Sequence, residues 1–131
     1  MSPTQRTLAH ARKLGYLCAI TERWNVYAKI RQDLYGFIDV LAFDKDNIIA
    51  IQTTSGSNHA ARVEKILASP IAMAWLVQVN RKIEVWSWAK QGPRGKRKTW
   101  VLRREPVLRP VNYIHWSDPV VDSPVATVTK P

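Results

Sequence analysis

A chain of 131 residues with 20 Lys and Arg against 10 Asp and Glu, a formal net charge of +10 and a pI near 10.2, has room for one compact core and surrounds it with a field that attracts polyanions. No apolar run approaches the roughly 20 residues of a membrane span, the N-terminus has no apolar signal-peptide core, and Cys18 stands alone, so an intrachain disulfide and a thiolate zinc cluster are both excluded. The expectation is an intracellular, cytoplasmic protein without membrane attachment whose leading partner is nucleic acid; a basic protein that is merely soluble is the plain alternative.

Ser2-Pro3-Thr4-Gln5 has the form of a helix start, with Ser at the cap, Pro at the first helical position and Gln closing a capping box. Leu8, Ala11 and Leu14 then recur on one face, and Gly15 suits a left-handed stop. Residues 16–21 read as a strand, followed by a polar and aromatic connection from Glu22 to Tyr35. Two near-continuously apolar strands follow at 37–43 and 48–54, joined by Asp44-Lys45-Asp46-Asn47 as a hairpin turn. Ser55-Gly56-Ser57-Asn58 is a loop, Ala60 to Leu67 a helix, and Ser69-Pro70 opens a second helix through about Val79. Residues 82–89 alternate as a half-buried strand, Gln91 to Lys98 is a basic loop, and Thr99 to Arg104 returns as a strand. From 106 onward prolines break any regular element. The domain expectation is therefore a folded unit over 1–105 and a Pro-rich extended tail over 106–131, with no internal repeat. Helix, strand, strand pair, two helices and two strands in that order make a mixed central sheet flanked by helices, an α/β (α+β) sandwich.

Asp39, inside the apolar run Phe37-Ile38-Asp39-Val40-Leu41, is costly to desolvate unless it meets a proton, a cation or a strong donor. A divalent metal fits that need, and a structural pairing with Arg31 is the simpler alternative. Gln52 on the neighbouring strand is either part of the same site or a buried amide satisfied by backbone.

Gly36 to Thr54 resembles the PD-(D/E)XK nuclease fold, and within it the archaeal and phage type of Holliday junction resolvase. Asp39 matches the Asp-bearing strand, and Ile49-Ala50-Ile51-Gln52-Thr53-Thr54 stands where an acidic residue, a spacer and a Lys are expected. The resemblance spans roughly residues 4–90 and implies a restriction-endonuclease-like core, Mg²⁺ or Mn²⁺ as cofactor, branched or junction DNA as partner, and a homodimer. It puts catalytic duty on Asp39, Gln52, Glu22, Thr54 and Lys65, and metal ligation on Asp39, Gln52, Glu22 and Asp33. Gln52 stands in place of the usual Glu, and Thr54 in place of the usual Lys. Glu22 and Asp33 are the carboxylates able to compensate for the first substitution, and Lys65 and Arg62, on the following helix, the cations able to compensate for the second. A catalytically degenerate DNA-binding relative is the alternative that these substitutions leave open.

For contact with DNA, Ser55, Ser57, Asn58 and His59 lead into a helix N-terminus that suits a phosphate, with ordinary capping by Asn58 as the competing role. Arg62, Lys13 and Arg31 add charge, and Arg94, Lys96, Arg97 and Lys98 make a mobile basic arm without an acid. Trp86 and Trp88 alternate with Val85 and Ser87, which favours packing of a sheet face over stacking on bases.

Overall fold

The computed structural model describes residues 1–113. Its first element, α1 (Pro3–Lys13), begins as its sequence dictates: Ser2 Oγ accepts from the Gln5 amide at 3.2 Å, and Pro3 occupies a first-turn position whose missing N–H costs nothing. Beyond Leu14, Gly15 at φ +95° takes the left-handed conformation that lets the chain reverse into β1 (Leu17–Ile20).

Five strands form the main sheet in the order β1, β4 (Val40–Phe43), β5 (Ile48–Ser55), β6 (Arg81–Gln91), β7 (Thr99–Pro106). Only β5 and β6 run parallel. Their crossover carries a short 3₁₀ turn (Gly56–Asn58), α2 (His59–Leu67) and α3 (Pro70–Trp75). The expected mixed sheet flanked by helices is thus the observed α+β architecture, and it is consistent with a restriction-endonuclease-like core.

Alternation along the strands feeds two apolar layers. Leu8, Ala11, Val40, Ile49, Ile51 and Trp86 pack beneath α1. Phe37, Ala50, Ile66, Met73, Ile83 and Val85 pack beneath α2 and α3. Trp86 and Trp88 are both buried, with Trp88 Nε1 donating to Thr7 Oγ1 at 2.9 Å, so these indoles pack the core.

Three local expectations need correction. The segment from Glu22 to Tyr35 is not an irregular connection: it contains a second, two-stranded sheet, β2 (Arg23–Asn25) against β3 (Ile30–Gln32). The strand expected over 37–43 begins at Val40, because Phe37 and Ile38 close a turn in which both their amides donate to Leu34 O. The second crossover helix stops at Trp75, where Arg81 reaches back and donates to the carbonyls of Trp75 (2.8 Å) and Ala74 (3.3 Å), supplying the donors a continued helix would have supplied.

At the start of the Pro-rich region, Val107 is buried and its amide donates to Ile83 O at 2.8 Å, while Arg109 Nη1 donates to Met73 O at 2.7 Å. The remainder of the expected tail lies outside the described residues. Among the described residues no helix is long and apolar enough to cross a membrane.

Candidate functional site

Asp39 occupies a bend that still belongs to the ladder. Its amide donates to Ile51 O at 2.9 Å and its carbonyl accepts from the Thr21 amide at 2.8 Å, so β5 and the residue just after β1 fix its backbone. Glu22 follows two residues after β1 and precedes β2, and Asp33 directly follows β3. The hairpin therefore brings its two ends back to Asp39, and one carboxylate oxygen from each of Glu22, Asp33 and Asp39 lies within 4.8 Å of the others.

Gln52 and Thr53 complete this centre from β5. Gln52 Nε2 donates to Asp39 Oδ2 at 2.6 Å and to Asp33 Oδ2 at 3.2 Å. The Thr53 amide donates to Asp39 Oδ2 at 2.8 Å, and Thr53 Oγ1 approaches the same oxygen at 3.3 Å. Thr4 Oγ1 lies 2.8 Å from Thr53 Oγ1, which ties the first turn of α1 to the site. Burial pushes the Asp39 carboxyl up to about 8, reinforced by its hydrogen bond to Asp33 and by the charges of Asp33 and Glu22; the Thr53 amide pulls the other way.

Gln52 is 2% exposed, and its Oε1 is buried without a hydrogen-bond partner. An orphaned buried carbonyl of this kind forfeits about 1–3 kcal/mol of desolvation. The amide turns its nitrogen to the two carboxylates, and its oxygen is left without a partner. A hard divalent cation would favour the opposite orientation, since such ions take oxygen ligands from carboxylates and amide carbonyls alike. The donor set of three carboxylates and one amide oxygen therefore fits Mg²⁺ or Mn²⁺.

Beside this centre lies an open cleft of about 640 Å³ whose lining includes Asp33, Arg31, Arg62 and Lys65. Arg31 Nη1 stands 3.6 Å from Glu22 Oε1. Thus α2 places two cations facing the cleft, and the hairpin a third. Thr54 is buried on β5, two residues beyond Gln52 and on the same sheet face, where it offers a hydroxyl and no charge.

The expected phosphate cradle is rearranged. His59 is 2% exposed, with Nδ1 at 2.6 Å from Ser87 Oγ and Nε2 at 2.9 Å from Glu105 Oε1. Both ring nitrogens are committed inside the fold, so the expected contact of His59 with DNA is withdrawn. Ser87 is itself 1% exposed, which denies this Ser–His–Glu arrangement any substrate access and leaves it a clamp of α2 onto β6 and β7. Asn58 does not cap α2: its Nδ2 donates to Ser55 Oγ at 3.2 Å, and Ser55 Oγ lies 3.2 Å from Ser57 Oγ. Ser57 and Asn58 remain exposed.

Lys13 is exposed at the end of α1, and Arg94, Lys96, Arg97 and Lys98 are exposed in the turn between β6 and β7. Beside that turn, the Arg6 guanidinium lies 3.9 Å and Lys90 Nζ 5.4 Å from the Trp100 ring centroid. Thr53 and Thr4 are the site residues that sequence reasoning missed. Thr53 was visible as the immediate neighbour of Gln52, but nothing local links Thr4 to a strand so far along the chain. No protein-family model, curated protein or solved structure matches this chain.

Proposed function

We propose that this protein is a Mg²⁺- or Mn²⁺-dependent endonuclease of the PD-(D/E)XK type that hydrolyses phosphodiester bonds in branched or otherwise structured DNA, acting as a homodimer. The observation that carries this reading is the convergence of Glu22, Asp33 and Asp39 within 4.8 Å, bridged by Gln52. These side chains would hold the cation, which when bound supplies Lewis acidity and a water of lowered pKa.

The chain's own residues account for the rest. Asp39, as its carboxylate, and the carbonyl oxygen of Gln52 would be ligands alongside Glu22 and Asp33. Lys65 and Arg62, lining the cleft from α2, take over the charge neutralisation for which Thr54 has no group. Arg31, 3.6 Å from Glu22 and lining the cleft, offers a further cation to the phosphate. Two active sites related by a twofold axis suit symmetric cuts in two strands, which is the reason for the homodimer.

A second reading, a DNA-binding relative that has lost catalysis, has its own support: Gln52 and Thr54 put an amide and a hydroxyl on β5 where the motif it resembles has a carboxylate and an ammonium. Incubating a four-way junction, a duplex and a single strand with protein and Mg²⁺ or Mn²⁺, alongside Asp39→Asn, separates the two. The nuclease reading expects cleavage that vanishes in Asp39→Asn and in EDTA. Cleavage undiminished in Asp39→Asn rejects the site, and binding without cleavage by the native chain selects the non-catalytic reading.

A further inference from the structure

The β2–β3 hairpin stands outside the main sheet, yet both its ends enter the carboxylate centre. Between Glu22 and Asp33 its ten residues include Arg23, Lys29 and Arg31 and no acid. Trp24 is 54% exposed and Tyr27 96% exposed, in a fold that buries Trp86 and Trp88. Aromatic side chains held in water beside a candidate reaction centre, within an all-cationic segment, are not explained by packing.

The tip is built in one shape. Asn25 Oδ1 accepts from the amides of Tyr27 and Ala28, each at 3.0 Å, and Asn25 Nδ2 donates to Gln32 Oε1 at 3.0 Å. Lys29 takes the left-handed conformation, φ +54°, that completes the reversal. Trp24 pairs in register with Arg31, and only the Arg23–Gln32 pair separates them from Glu22 and Asp33. A tip whose backbone is held in one shape has less conformational freedom to lose when a partner arrives.

We propose that this hairpin is a strand-capturing arm, in which Trp24 and Tyr27 stack on unstacked bases while Arg23, Lys29 and Arg31 hold the adjoining phosphates. Its charge selects a polyanion. Its aromatic rings select one whose base faces are open, because a continuous duplex keeps those faces stacked whereas a junction or a single strand exposes them. The inference deepens the nuclease reading by naming how structured DNA would be distinguished from plain duplex next to the reaction centre.

The test measures binding, in EDTA so that no strand is cut, of a labelled four-way junction, a single strand and a duplex to the native chain, Trp24→Ala/Tyr27→Ala and Trp24→Phe/Tyr27→Phe. Thermal melting checks that each variant is folded. The alanine pair is expected to weaken junction and single-strand binding by about tenfold or more and duplex binding by less than about twofold, with the phenylalanine pair restoring most of the loss. Equal loss on all three DNAs, or no loss on any, overturns the arm. So does loss of binding to phosphatidylserine vesicles with junction binding intact, since the arm would then serve an anionic membrane. Cleavage by the native chain with undiminished binding by the alanine pair removes the arm and leaves the nuclease; the expected binding pattern without cleavage does the reverse.

Discussion

Asp39 is held where its ionised form is disfavoured, and the consequence for stability has a definite sign. Its folded pKa, about 8, lies above the ordinary 3.8, so between those values the folded chain keeps a proton that the unfolded chain has released. Stability of the metal-free protein therefore falls as pH rises through that window, by on the order of a few kcal/mol in all. Asp39→Asn, which keeps a neutral group of the same shape, is expected to flatten this dependence and to raise the melting temperature at pH 8 in EDTA, measured by calorimetry or circular dichroism. A melting temperature for the variant below that of the native chain at pH 8 would contradict the account. Gln52→Glu probes the same balance from the other side: a fourth carboxylate should tighten Mg²⁺ binding by about tenfold in titration calorimetry, because ligand charge sets affinity for hard cations. It should also lower the melting temperature in EDTA, where nothing offsets the added repulsion.

At the scale of elements, what was legible in the sequence was what neighbours in the chain determine. The Ser2-Pro3 and Ser69-Pro70 helix starts, the Asp44 to Asn47 turn and the apolar runs of β4 and β5 each follow from residues within a few positions of one another. Asp39, Gln52, Glu22 and Asp33 could be picked out as candidates because polar groups in or beside apolar strands need partners. The β2–β3 hairpin was not legible, since Trp24, Asn25 and Ile30 lack an alternating pattern and the reversal depends on Asn25 capping two amides and on a left-handed Lys29. The role of His59 was hidden for a related reason: its partners Ser87 and Glu105 are 28 and 46 residues away. His59→Ala leaves the buried Ser87 hydroxyl without this partner and unclamps α2, at an expected cost of about 2–4 kcal/mol in denaturant unfolding. Because the imidazole is turned inward, the salt dependence of DNA binding by the folded variant should match that of the native chain; a shallower dependence would return His59 to the interface.

Across the whole molecule, strand register gathers the chemistry at one end of the sheet. Ile20, Val40 and Ile51 are successive partners across β1, β4 and β5, so the end of β1, the hairpin that follows it, Asp39 and Gln52 lie together. Because β6 runs parallel to β5, with Gln52 against Val85 and Ser55 against Trp88, the turn carrying Arg94, Lys96, Arg97 and Lys98 leaves the sheet from that same end. The opposite end carries the Asp44 to Asn47 turn, the start of β6 and the reversal from α1 into β1, with Lys13, Lys45, Arg81 and Lys82 among its cations and the acids Asp44 and Asp46 on either side of Lys45. A net charge of +10 would attract DNA to any face, but the turn from Arg94 to Lys98 holds four cations and no acid, whereas the far-end turn sets Asp44 and Asp46 beside Lys45. Each phosphate neutralised contributes about 0.9 to the slope of log affinity against log salt on duplex DNA. Replacing Arg94, Lys96, Arg97 and Lys98 by Ala is therefore expected to reduce that slope by up to about 3–4, whereas replacing Lys45 and Lys82 at the far end should leave it nearly unchanged. Anisotropy titrations of a duplex and a four-way junction across a salt series measure both slopes. If removing the far-end pair cost as much slope per charge as removing the loop, DNA would be bound by diffuse charge, and the grouping of carboxylates, hairpin and basic turn at one end would have no bearing on where it docks.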